Sequence, residues 1–183
     1  MVKKLFILTV LLYNVTQLKA QPANCTFKPP FITIHFGTGE IRDLNSGYLA
    51  NYDRRETSCP RDGYYSYASF TSACFSGDWH TITEDHTPGD VEGNMMLVNG
   101  APDAGVFLRT PVSGFKGNTI YEFGVWLMNL CRPTEKCPFP LLANLTIRLE
   151  TQEGKVIAQI RTGDLIRTEL PHWTQHRAQF TTP

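Results

Sequence analysis

The sequence predicts an all-β domain, an antiparallel two-sheet sandwich of the jelly-roll, galactose-binding-like type. Three observations predict it. Apolar and polar residues alternate with period two in about eight short segments, clusters of Gly, Pro and Asn separate those segments, and no stretch carries an apolar stripe at helical spacing.

Taken in order, residues 1–20 read as a secretion signal. Lys3 and Lys4 precede the apolar run 5–13, and Leu18-Lys19-Ala20 stands before Gln21. The run is far shorter than the roughly 20 residues of a spanning helix, and no second one follows, so the expectation is no membrane span and a secreted or cell-surface location. Residues 21–183 then form one β-sandwich domain.

The strand candidates are 31–36, 64–70, 95–98, 106–110, 120–130, 145–150, 156–161 and 173–181. In 120–130, Tyr121, Phe123, Val125 and Leu127 fall on one face and Trp126, Met128 and Leu130 on the other, which predicts a central strand. Leu145, Ile147 and Leu149 alternate with Thr146, Arg148 and Glu150, and Gln152-Glu153-Gly154-Lys155 turns the chain into 156–161, which predicts a hairpin with one wet face. The last segment alternates like a strand awaiting a following partner, yet the sequence stops at Pro183. That predicts a sandwich cut short of its last strand, with further domains of a larger surface protein beyond; a complete domain with an edge strand is the other reading.

The charges balance, 17 basic against 17 acidic, and losing Lys3, Lys4 and Lys19 with the signal leaves 14 against 17. Such a surface does not draw in phosphate backbones, so no nucleic-acid partner is expected. The cysteines are Cys25, Cys59, Cys74, Cys131 and Cys137. In an exported chain they oxidise by default, and the pairs expected are Cys59–Cys74 and Cys131–Cys137, with Cys25 left over. No pair has zinc-knuckle spacing.

Between Trp79 and Asn99 lies a distinctive string, Trp79-His80-Thr81-Ile82-Thr83-Glu84-Asp85-His86-Thr87-Pro88-Gly89-Asp90-Val91-Glu92-Gly93-Asn94-Met95-Met96-Leu97-Val98-Asn99, preceded by Cys59-Pro60-Arg61-Asp62-Gly63-Tyr64-Tyr65 and Cys74-Phe75. It resembles the N-terminal jelly-roll module of large bacterial surface proteins exported by the type IX route and associated with gliding motility. The resemblance continues through Phe36-Gly37-Thr38-Gly39, residues 118–123, 144–151 and 162–164, and the Trp173 strand. Asp85-His86-Thr87 with the glycine loop and the 95–98 strand is also similar to adhesion modules of the MAM type, and the Trp173 strand to carbohydrate-binding modules. These resemblances imply a non-catalytic sandwich for adhesion or glycan capture, frequently with one structural calcium. The families continue past the Trp173 strand into a closing strand that often carries paired aspartates and a cysteine; this chain does not.

Glu84, Asp85, Asp90, Glu92 and Asn94 crowd one loop with Gly89 and Gly93, offering the hard oxygens that calcium prefers, though not at EF-hand spacing. Asp85, Asp90 and Asn94 are the expected ligands; a turn cap at Asp85 among solvated carboxylates is the alternative. His80 and His86 stand six apart in strand and loop, a poor zinc pair, and the serines follow no nucleophile-elbow pattern. For sugar stacking the candidates are Tyr64, Tyr65, Tyr67, Trp79 and Trp126, although indoles at such positions are more often core than platform. Adjacent strand residues alternate sides, so Tyr65 or a neighbour should meet solvent or another sheet. The expectation is a non-enzymatic module binding an extracellular glycan or other surface ligand through Tyr65, Tyr67, Trp79 and His86. A structural spacer with no ligand is the alternative, and a jelly-roll hydrolase or lyase the third reading; the last needs two carboxylates, or a His with a Tyr, meeting in one groove, and Glu122, Glu150 or Asp164 facing a carboxylate across a cleft would favour it.

Overall fold

The computed structural model describes residues 30–44, 51–136 and 141–183; residues 1–20, Cys25 and Cys137 lie outside them. Contacts divide the chain after Thr33, and the body described below is Ile34–Pro183. Among the described residues no helix is long and apolar enough to cross a membrane.

The body is built of β-strands with almost no helix. They are β1 (Asp53–Arg54), β2 (Tyr64–Ala68), β3 (Met95–Asn99), β4 (Ile120–Leu127), β5 (Asn144–Glu150), β6 (Val156–Asp164) and β7 (Thr174–Thr181). They form three small sheets: β1-β2-β3, β4-β7 and β5-β6. Every pairing is antiparallel except β1 with β2. The segment Cys74–Gly77 makes a single turn whose middle residues, Phe75 and Ser76, are left-handed with φ of 54° and 58°.

β2 lies between two strands and is buried on both faces. Tyr65 and Tyr67 point to one side, only 5% and 4% exposed, and Ser66 points to the other, fully buried. The tyrosines pack with Tyr52, Phe36 and Phe107, and Tyr52 Oη accepts the Ala101 N–H at 2.9 Å. Tyr64 is the partly exposed member of the run, covered by the Arg55 guanidinium 4.3 Å from its ring centroid. A second core joins Ile82, Met95 and Leu97 to Met128, Leu130 and Trp173. A third aromatic group stacks Phe180 of β7 on Tyr121 of β4 at 5.7 Å, with Phe115 and Phe123 edge-on.

The hairpin forms where the alternation places it: Thr151 N–H donates to Lys155 O at 2.9 Å, and Gly154 takes φ +83° in the turn. β4 is not central. Among the described residues it pairs along its length with β7 alone, and Ile120 at 72% and Trp126 at 39% are exposed, because the same face also carries Glu122 and Gly124 opposite polar residues of β7. The final strand finds its partner upstream, in β4, and packs beside β6 without sharing a ladder with it.

Two candidate strands are absent. Residues 31–36 form no ladder with any other described residue, and beyond them Thr38 bridges to Gly93. Residues 106–110 run irregularly because the Val106 N–H goes to the side chain of Asn51, at 3.2 Å, and Val106 O accepts from Asn51 N at 2.8 Å. Cys59 and Cys74 form the expected disulfide. The second expected pair includes Cys137, outside the described residues.

Candidate functional site

Two groups of polar and aromatic side chains converge on the loop that joins the Trp79 segment to β3. The first is the exposed face of β4 and β7. The register sets Trp126 opposite Gln175, Gly124 opposite Arg177 and Glu122 opposite Gln179, so all six share one side of the ladder. Glycine at 124 keeps that face low in its middle, where the Arg177 stem and the Gln175 amide lie across it. Gln175 Oε1 accepts from Arg177 Nε at 2.8 Å and from Nη2 of the same guanidinium, while Arg177 Nη1 meets Glu122 Oε1 at 3.4 Å.

His86 closes this face at one end. Its ring stacks on Trp126, centroids 3.7 Å apart and 18° from parallel, and meets Trp173 edge-on at 5.9 Å. Trp173 is in turn packed on the Ile82–Met95–Leu97 core, so the platform is fastened to the interior through His86. The result is an indole set beside an amide, a guanidinium and a carboxylate, which is the mixture of a flat apolar surface and hydrogen-bonding groups that grips a polyhydroxylated ring.

The second group lies one residue before His86. Asp85 caps its own turn: its carboxylate accepts the Thr87 N–H at 2.9 Å and the Thr87 hydroxyl at 2.6 Å. Asp90 accepts from the Thr38 hydroxyl at 3.4 Å. Both carboxylates converge over the α-carbon of Gly93, where a β-carbon would lie 2.5–2.7 Å from three of their oxygens. Desolvation and the like charge of Asp85 hold the Asp90 carboxyl above its ordinary pKa. Asn94 is turned elsewhere. It is buried, and its Nδ2 donates to Gly37 O and Glu40 O, both at 3.3 Å, fastening the 36–42 loop to β3. Gly37 permits that approach with φ +97° and no β-carbon to strike Glu40 O. Among the described residues no three His, Cys, Asp or Glu side chains gather as a metal-binding group.

Of the four residues expected to touch ligand, the structure brings only His86 to this face. Tyr65 and Tyr67 are core, and the Tyr67 hydroxyl is raised in pKa by burial and by Asp43, whose Oδ1 accepts from it at 3.3 Å. Trp79 is also core, 5% exposed and edge-on to Phe75 at 5.0 Å. His80 is buried too, with its backbone tied to Leu130 and Thr71. Burial lowers its pKa, which keeps the ring neutral. Glu122 and Glu150 face arginines, and Asp164 accepts from Asn144 at 3.1 Å. Gln175 and Arg177 were missed in the sequence because alternation in 173–181 marks which residues face out, not which strand stands opposite. No family model matches the chain, and neither a curated protein nor a solved structure matches it.

Proposed function

We propose that this chain is an exported, non-catalytic binding module that captures a glycan on the β4–β7 face, as part of a larger adhesive surface protein. The single observation that carries the reading is Trp126, held half-exposed by the His86 stack and flanked by Gln175, Arg177 and Glu122. A pyranose presents one apolar face for the indole and equatorial hydroxyls for the amide, guanidinium and carboxylate. The finer architecture proposed is the jelly-roll sandwich, and the family likeness proposed is to the N-terminal modules of type IX-exported, gliding-motility-associated proteins. The predominance of strands, the antiparallel pairings and the Cys59–Cys74 disulfide support both.

A structural calcium belongs to the same reading. Asp85 and Asp90 would hold it, with the Thr38 hydroxyl alongside, because two carboxylates brought together over Gly93 repel unless a cation or a proton stands between them. A bound ion would supply that charge and fix the loop that carries His86.

The test is retention of the mature chain on immobilised neutral polysaccharides, read alongside a glycan array. Wild-type protein should be retained and Trp126→Ala lost, with both still folded by far-UV circular dichroism. Retention of Trp126→Ala at wild-type strength overturns the site, and no retention of either leaves the spacer reading.

A further inference from the structure

The exposed face of the β5–β6 hairpin is a second polar surface, chemically unlike the Trp126 face. Its register sets Thr146 opposite Arg161 and Arg148 opposite Gln159, so the two arginines stand diagonally across the ladder, on positions about 7–8 Å apart. These four line one open groove with Val156, Ile157 and Ala158. Beside it, Glu150 receives Arg109 at 3.3 Å and Arg148 at 3.7 Å, so one carboxylate is shared between two guanidiniums. Arg161 is exposed and has no carboxylate partner among the described residues. Three arginines here meet one glutamate, and the turn beside them adds Lys155 and Glu153, a local excess of positive charge on an exported chain that carries 14 basic against 17 acidic residues.

We infer that this face is a second binding site, specific for an anionic polysaccharide bearing carboxylate or sulfate groups. Arginine presents a planar fork that takes such oxyanions in bidentate fashion, and two forks diagonal on a rigid hairpin engage successive charges along one polymer. Thr146 and Gln159 stand between them to meet the sugar hydroxyls. The complementarity is of charge and of form, since an open groove along two exposed strands suits an extended chain. Nucleic acid fits less well, because the groove holds no aromatic ring on which a base could stack. The site lies on a different sheet from Trp126 and does not depend on that reading.

The experiment measures binding of the mature chain to a heparin-type sulfated polysaccharide and to polygalacturonate, with neutral dextran and duplex DNA for comparison, across a salt series. Wild-type protein should bind both acidic polymers, with affinity falling as salt rises, and ignore dextran. Arg148→Ala with Arg161→Ala should weaken binding about tenfold for each arginine removed. Glu150→Gln should tighten it several-fold by removing the competing carboxylate, a gain that no misfolded variant would show. The proposal is overturned if the double variant binds as wild type does, if E150Q gives no gain, if DNA binds as tightly as the acidic polysaccharides, or if wild type binds neither polymer.

Discussion

His86 lies on the indole of Trp126 like a lid on a plate, 18° from parallel, and joins a loop residue to a strand residue forty positions later in the chain. Aromatic pairs of this kind contribute about 0.5–1.5 kcal/mol beyond the area they bury. His86→Ala should therefore lower stability by about that amount, leave the strands intact, and redshift tryptophan emission as Trp126 and Trp173 gain solvent. A variant with unchanged emission and unchanged denaturation midpoint would show that the stack does not hold the platform.

The Thr71 hydroxyl is fully inside and serves two partners, donating to His80 O at 2.6 Å and accepting from Ile82 N at 2.8 Å. Thr71→Val keeps the shape and strands both backbone groups. The expected loss is about 1–3 kcal/mol in urea unfolding, and a loss under half of that would mean that water replaces the hydroxyl.

Buried His80 makes the fold sensitive to acid. Its folded pKa is depressed, first by burial, while in the unfolded chain it titrates near about 6.5. Below that value the unfolded state binds the extra proton, so stability falls as pH drops through 6.5 toward the lower folded pKa, and is flat above. Denaturation at pH 7.5 and 5.5 should show the loss in wild type and a smaller one in His80→Gln. Equal pH dependence in the two would assign the acid sensitivity to other groups.

Melting with calcium and with a chelator examines the Asp85–Asp90 pair. Calcium should raise the wild-type melting temperature, because a ligand that prefers the folded state stabilises it. Asp90→Asn should melt higher than wild type in chelator, since it removes a repulsion, and should not respond to calcium. Gly93→Ala should lose the response as well, as its new methyl enters the space between the carboxylates. A calcium response that survives all of these changes would place the ion elsewhere.

The Cys59–Cys74 disulfide closes a loop with a sequence separation of 15. A bridge across a loop of that size stabilises by about 3 kcal/mol. Cys59→Ser with Cys74→Ser should cost roughly that much in denaturation under oxidising conditions, and a melting temperature equal to that of wild type would contradict it.

Six of the strands were legible from alternation and turn residues, and the β5–β6 hairpin was complete in the sequence because its turn and its period are local. The face proposed for binding was not. Trp126, Met128 and Leu130 made one side of 120–130 look apolar, but Glu122 and Gly124 share that side and Gln175, Arg177 and Gln179 stand across from it. Pairing between β4 and β7 is a long-range fact that neither segment states alone. The tyrosines of β2 misled for a related reason: a strand with neighbours on both edges and cores on both faces buries residues of either parity, so Ser66 is as deep as Tyr65. Asp85 and Asp90 were readable as oxygen donors, whereas the inward turn of Asn94 depends on the 36–42 loop returning to it.

The same pairing sets an order of events for the nascent chain. β5 and β6 are neighbours in sequence and can zip in microseconds, but Leu127 must find Thr174 across residues 128–173 before the β4–β7 ladder exists. The surface that carries Trp126 is thus assembled after the hairpin that carries Arg148 and Arg161. Until that closure Trp126 lies on a strand without its ladder partner, so the face it shares with Gln175 and Arg177 exists only once residues 174–181 have been made.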